Sequence, residues 1–464
     1  FMLPGNSSQI APDVARLIGD YLLFFYDLKF KVGQGTRCVG DCLSLANEDM
    51  QTKTALMEAR FLCGQDAAFK EFRARFDDEC MKGREGDFLK LRQEDLATRH
   101  AKHGGTHCVQ EPNVKSGCGG LRDYQNLIWM AYAKLGTLDP KDLVEKGLLT
   151  HAGWRELEQA YALTLRPRNE MLYPEGSASD LLPRPLKGRV ATNLGYRHKR
   201  ILRRIEAFMR DYYRATRDVL QRSSEVMDRF HLQALDDEST RKGLLSFMVR
   251  RKAAQKRVEK FDGFIAKNER LFTEDKNIFK NDPTQLMRSF LHTQQRHLRL
   301  SPEIFQLMQE SFRLVNVSYR YNKVARETFL VILSRKGDVA RVMRQMHRVG
   351  FLGRYMPEFG ALTCLVQHEF FHRYTADEHT LRTLDKLDEL SGPPNPAVAL
   401  YQHLFHDLHQ PAILYLALLL HDAGRAANAK AHDAESTVMA DAVCRRLSIK
   451  GERRKMLLFL VDNH

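Results

Sequence analysis

The chain is short of the features that would place it outside a reducing, aqueous compartment. Its eight cysteines are scattered, with no CxxC pair among them. That argues against a disulfide-stapled small domain and for free thiols in a cytoplasm. The longest wholly apolar run, residues 412–420, has nine members, where a membrane-crossing helix needs about twenty. No internal repeat or low-complexity tract is present, which sets aside solenoids and long flexible linkers. An RNP-type aromatic strand, a zinc finger and a glycine-rich phosphate loop are missing too, so no dedicated nucleic-acid module is expected.

What is there is the composition of a soluble globular protein, 43% hydrophobic and 28% charged. A chain of 464 residues holds roughly two to four domains. The formal charge of +14, from 72 basic and 58 acidic side chains, favours polyanions as partners: nucleic acid, nucleotides or an acidic protein face. A well-solvated, arginine- and lysine-rich helical surface accounts for that surplus equally well.

Most of the chain reads as helix. Apolar residues recur at helical spacing over residues 13–27 (DVARLIGDYLLFFYD) and 55–62 (ALMEARFL), and residues 67–100 are charged and helical. Residues 31–39 (KVGQGTRCV) are the best strand candidate. A break at 103–106 (HGGT) leads to EPNVKSGCGGLRD at 111–123. Its glycines precede a helix starting near Leu121 and permit tight turns and close approach. The density of charge, glycine and proline favours a docking or active-site loop carrying Lys115, Gly119, Gly120, Arg122 and Asp123; the plainer alternative is a flexible loop. A proline- and glycine-rich stretch, 165–188, interrupts the helices. A basic amphipathic helix follows over 197–220, with Ile201, Leu202, Ile205, Phe208, Met209 and Tyr212 as a core stripe. Residues 240–350 are again basic and helical, and 247–260 (FMVRRKAAQKRVEK) is the densest positive run. A turn at 391–396 (SGPPNP) separates a helix carrying His379 from one ending at His421.

That second helix carries the chemistry. In YLALLLHD, residues 415–422, an apolar run steps directly into His421 and Asp422. A buried helix ending in two metal-type ligands can hold a divalent cation at the edge of a core. His379 upstream, and His432 and His464 downstream, stand where such a site could use them. Among 18 histidines many have no such role, and His372, His403, His406 and His409 read as surface or loop residues.

Three segments appear in order: EPNVKSGCGGLRDYQNLIWMA (111–131), FHRYTADEHTLRTL (371–384) and LALLLHDAGR (416–425). They resemble the signature of the bacterial protein-PII uridylyltransferase/uridylyl-removing family. KVGQGTR, TALMEARFLCG, RHAKHGGT and FMRDYYRATRDV extend the resemblance over nearly the whole chain. It implies a mainly α protein with four parts. These are the C-terminal part of a polymerase-β-type α/β nucleotidyltransferase domain (1–110), a helical middle domain (111–235), a helical connector (236–350) and an all-α HD phosphohydrolase domain (351–464). It further implies UMP transfer from UTP to a tyrosine of a PII-like protein, removal of that UMP by the HD domain, and glutamine-sensing ACT domains.

By the same resemblance, His379, His421 and Asp422 are metal ligands, and His432 and His464 take the places of further histidines in two-metal HD proteins. Asp422 and Arg425 are catalytic, and Glu58 is either the third carboxylate of the transferase fold or an ordinary surface glutamate. The implied metal is Mg²⁺ or Mn²⁺, with Zn²⁺ or Fe as alternatives. The implied partners are a PII-like signalling protein and UTP or UMP; a membrane and nucleic acid are not among them.

The chain departs from the family pattern in several ways. The Asp-x-Asp pair that would hold two Mg²⁺ ions across a triphosphate has no counterpart in the sequence, so UMP transfer is not expected of the residues present. The HD domain's last aspartate and the ACT domains have none either, so the sequence is expected to be the middle of a longer protein, with the missing Asp-x-Asp pair either upstream of it or lost from a degenerate transferase half. Arg425 replaces the family's lysine, and residues 426–429 (AANA) replace a glycine-rich turn. Two other readings therefore stand beside the first: a signalling scaffold with decayed sites that binds a PII-like partner, and an HD hydrolase for a different nucleotide substrate.

Overall fold

The computed structural model describes residues 1–3, 10–30, 32–175, 179–246, 258–366, 373–426 and 432–464. It is mainly helical and divides into two compact units, Phe1–Thr98 with Gln125–Gly147, and Arg99–Tyr124 with Leu148–His464. Among the described residues no helix is long and apolar enough to cross a membrane. All eight cysteines are free thiols; Cys63 is exposed and the other seven are buried.

In the first unit a short parallel pair, β1 (Met2–Leu3) and β2 (Arg37–Cys38), precedes a set of helices. The strand expected over 31–39 shrinks to β2, because Val39 already opens the helix Val39–Glu48. The helix expected over 55–62 stops at Met57. Arg73 donates to the carbonyls of both Leu56 and Met57, at 3.0 Å each, and so satisfies acceptors that a helix end leaves open. Phe72 and Phe76 of the helix Asp66–Phe76 pack one turn apart into a core with Leu43, Met57 and Trp129. The helix Pro12–Asp27 forms as its periodicity suggests, yet none of its residues is buried.

In the second unit the helix His151–Glu175 lies along the long helix Ile201–Ser246, with Arg184–Asn193 against both. The interruption expected from 165 does not occur there, since the helix runs through the buried Pro167 to Glu175. Packing of Leu163 and Met171 into the core offsets the backbone hydrogen bond a proline removes. The amphipathic helix is much longer than 197–220. Ile205, Phe208, Met209 and Tyr212 are its buried stripe, whereas Ile201 and Leu202 are exposed.

Residues 240–350 are not all helical. Four strands, β3 (Glu259–Phe261), β4 (Phe264–Lys267), β5 (Arg270–Thr273) and β6 (Arg299–Leu300), form one sheet, antiparallel except for the parallel β5–β6 pair. Two tight hairpins build it, with Asp262-Gly263 and Asn268-Glu269 all at positive φ, the conformation such turns demand. Most of the dense basic run, residues 247–257, lies outside the described residues. A single hydrophobic core extends from Phe264 to Val461. It joins this sheet to the helices Val339–Val349, Ala376–Glu389, Pro411–Leu420 and Gly451–Asp462, which position the site.

Candidate metal centre

The helix Pro411–Leu420 is buried almost all round, through Ile413, Tyr415, Leu416, Ala417, Leu419 and Leu420. It is anchored midway by Tyr415, whose hydroxyl donates to Asp388. A 3-10 turn, Ala423–Ala426, follows it, and the Gly424 amide is taken up by Ser436 Oγ at 2.9 Å. His421 and Asp422 therefore sit at a fixed corner, 8% and 1% exposed. The Leu418 carbonyl lies 2.7 Å from His421 Nδ1. A carbonyl can only accept, so Nδ1 carries the hydrogen and the Nε2 lone pair is the one a metal could use.

His379 comes from the helix Ala376–Glu389, and its ring centroid is 5.7 Å from that of His421. One ligand atom from each of His379, His421 and Asp422 lies within 4.8 Å of the others. Two imidazole nitrogens and a carboxylate oxygen, half screened from water, suit a single divalent cation. Among the described residues this is the one group of three or more potential ligands so arranged. Burial lowers the pKa of His421, favouring the neutral ring a metal requires. Burial works against ionisation of Asp422, but the charges of His421 and Arg425 hold its carboxyl below the usual range. Arg425 donates through Nε to Asp422 Oδ1.

His464 stands at the edge of this cluster. Its ring centroid is 5.1 Å from that of His421, and its Nε2 lies 3.8 Å from Asp422 Oδ1. His432 opens the helix His432–Arg446, but its side chain lies outside the described residues, as does the whole of His372. His403, His406 and His409 are exposed. Glu58 lies in the first unit, exposed at the end of the helix Met50–Met57, and accepts the Trp129 indole N–H at 2.8 Å.

The loop before Leu121 is packed into the structure. A Cβ on Gly119, whose φ is +71°, would lie 1.9 Å from the Thr216 carbonyl oxygen, and one on Gly120 would meet the Lys115 and Val114 carbonyls at 2.9 Å. Asp123 is buried and accepts from the Gly119 amide (2.7 Å) and Arg99 (2.7 Å), with His100 at 2.9 Å. The glycines and Asp123 thus have packing partners that a flexible loop would lack. Lys115 and Arg122 remain half-buried.

Sequence reasoning passed over a second buried carboxylate, Asp377, two residues before His379. It is 1% exposed and accepts from Thr375 Oγ1 at 2.6 Å and the Cys364 amide at 3.0 Å, with His347 Nε2 at 3.2 Å. The pattern Thr375-x-x-Glu378 was a visible signal of a helix start, though Thr375 turns its hydroxyl to Asp377 instead of capping the helix.

The family model described as GlnD PII-uridylyltransferase matches residues 87–227. That for the third domain of uridylyltransferase GlnD matches residues 264–355. The bifunctional uridylyltransferase/uridylyl-removing enzyme of Azospirillum brasilense is 30% identical over 465 residues, covering 100% of this chain and 49% of the relative. Its namesake from Rhodopseudomonas palustris is 29% identical over 470 residues, covering 100% and 50%. The chain spans about half the length of the curated relatives it matches. The cluster of His379, His421 and Asp422 lies beyond both family-model spans but within the residues aligned to both relatives.

Proposed function

This chain belongs to the PII-uridylyltransferase family, and from that premise we propose that its C-terminal region is a metal-dependent phosphodiesterase that removes UMP from a tyrosine of a PII-like protein. The observation carrying the reading is the convergence of His379, His421 and Asp422 within 4.8 Å. The four-part division at 110, 235 and 350, with an HD domain over 351–464, belongs to the same proposal. So does a cytoplasmic location, supported by eight free thiols.

When bound, a divalent cation (Mg²⁺ or Mn²⁺, with Zn²⁺ or Fe as alternatives) polarises the phosphoryl oxygens and lowers the pKa of an attacking water. The side chains supply the rest. Leu418 orients His421 so that Nε2 faces the cluster, and Asp422 contributes a buried negative charge. Arg425 neutralises Asp422 and is the group suited to grip a phosphate through two N–H donors. His464 and His432 are the side chains proposed for a second ion.

The test is release of UMP from a uridylylated PII protein in the presence of Mn²⁺, followed by chromatography. His421→Ala is expected to lower the rate at least about a hundredfold. Equal release by the variant would overturn the assignment. Binding of PII with no hydrolysis by the unmodified chain, whatever the metal, would favour the scaffold reading.

A further inference from the structure

His379 is the fourth residue of its helix, so its place depends on how that helix's first turn is held. Asp377 and His379 are two residues apart and so face different sides. Asp377 turns inward, where three chain segments meet its carboxylate: Thr375 beside it, the backbone at Cys364, and His347 of the helix Val339–Val349.

The approach to the helix is held as well. Residues 108–110 run alongside residues 373–375. The Gln110 amide donates to the Arg373 carbonyl at 3.0 Å and the Thr375 amide to the Cys108 carbonyl at 3.2 Å. Val109 and Tyr374 form an antiparallel bridge. Arg382, one turn after His379, donates to the Gly104 carbonyl at 3.0 Å, and its guanidinium lies 4.1 Å from the centre of the Tyr374 ring. This strap is itself fastened from below, by the Tyr213 hydroxyl to the Val109 carbonyl at 2.8 Å and by the buried Lys187 to the Gln110 carbonyl. Every strap residue, with Lys187 and Tyr213, lies within the span 87–227, whereas the helix it holds belongs to the metal centre.

We propose that Asp377 is a positioning residue of the metal centre, and that the strap at residues 104–110 is the lever by which the 87–227 region sets the place of His379. The inference rests on the metal-centre reading above. None of these bonds reaches the imidazole; they act by fixing the backbone that carries it. Metal affinity and ligand geometry should therefore respond to changes at the strap in a protein that stays folded. Displacing one of three ligands by less than an ångström is enough to loosen a preorganised site.

The experiment uses the full chain and two probes. Mn²⁺ affinity is measured from the free-ion paramagnetic resonance signal, and ligand geometry from the visible absorption of bound Co²⁺. Circular dichroism establishes folding. Asp377→Asn is expected to weaken Mn²⁺ binding roughly tenfold and to alter the Co²⁺ spectrum. Thr375→Val should do the same to a smaller extent, and decides the matter if Asp377→Asn does not fold. Asp385→Asn, on the same helix but bonded to Arg344 instead, should leave the Co²⁺ spectrum as it was. Loss of binding in His379→Ala, with unmodified affinity and spectrum in both Asp377→Asn and Thr375→Val, overturns this inference alone. Unmodified Mn²⁺ binding in His379→Ala overturns the metal-centre reading and the inference with it.

Discussion

Two buried carboxylates, Asp377 and Asp422, lie in the same unit, each about 1% exposed and each beside an imidazole. His347 is 3.2 Å from Asp377, and His421 is 3.4 Å from Asp422. Their other partners separate them. Asp377 is bonded to a backbone amide and to a hydroxyl from its own helix start, so its oxygens are committed to the architecture. Among the described residues Asp422 meets side-chain groups, those of His421, Arg425 and His464, around a point that His379 also approaches. On the metal-centre reading, a buried acid can serve as a ligand where its partners are charged side chains, and as a fastener where a main-chain amide and a hydroxyl of its own helix start hold it. Burial and an adjacent histidine do not distinguish the two.

The sharpest way to break the comparison is to remove both acids in turn and follow urea unfolding without metal. Asp377→Ala strands a buried imidazole and an amide, and should destabilise the protein by about 3–5 kcal/mol. Asp422→Ala removes an attraction that outweighs the cost of burial, but the partners it strands are side chains rather than main chain, so it should destabilise less, by about 1–3 kcal/mol. Equal losses would erase the distinction.

Acidity offers the next test, through His107, a third imidazole near Asp377. Burial lowers its pKa to about 4, against 6.5 ordinarily, with Asp377 opposing the shift. Below pH 6.5 the unfolded chain takes up the proton and the folded one does not, so stability falls with pH until about 4. Between pH 6.5 and 5 this amounts to about 2 kcal/mol, and His107→Gln should remove that share of the slope. The Asp377 carboxyl is held at about 2 against burial, chiefly by the bond from His347, so its own contribution is lost only below that window.

The smallest effect belongs to Arg425. Arg425→Lys keeps a charge near Asp422 but loses two-point contact with a phosphate. Phosphodiester turnover, measured as kcat/KM, should drop about tenfold, equal to about 1.4 kcal/mol, with Mn²⁺ affinity retained. A larger fall in affinity than in turnover would make Arg425 part of the ion's support rather than a substrate contact.

The contrast also explains which parts of the molecule could be read in advance. His421 and Asp422 were legible because the signal is local: an apolar run ending in two ligand-type residues. His379 was named from the sequence beside His432 and His464, but its assignment as a ligand needed the family resemblance, since only the fold brings it near. Asp377 was invisible because its partners, Cys364 and His347, are distant in the chain and one of them is backbone. The same holds for Gly119, whose lack of a side chain is dictated by the Thr216 carbonyl. Helices with periodic apolar faces were foreseen, yet the stretch 165–188 was read as a break, where surrounding packing carries the helix on through Pro167 to Glu175. The Asp262-Gly263 hairpin carried a turn signal that its short strands and basic setting obscured.

The eight thiols make the chain a ready-made reporter. Only Cys63 faces solvent, so a maleimide dye added under native conditions should mark one place, in the first unit and away in sequence from the cluster. A fluorophore there offers a readout for titrations with nucleotide or partner protein, and a rising count of modified sulfurs would register the moment the interior opens.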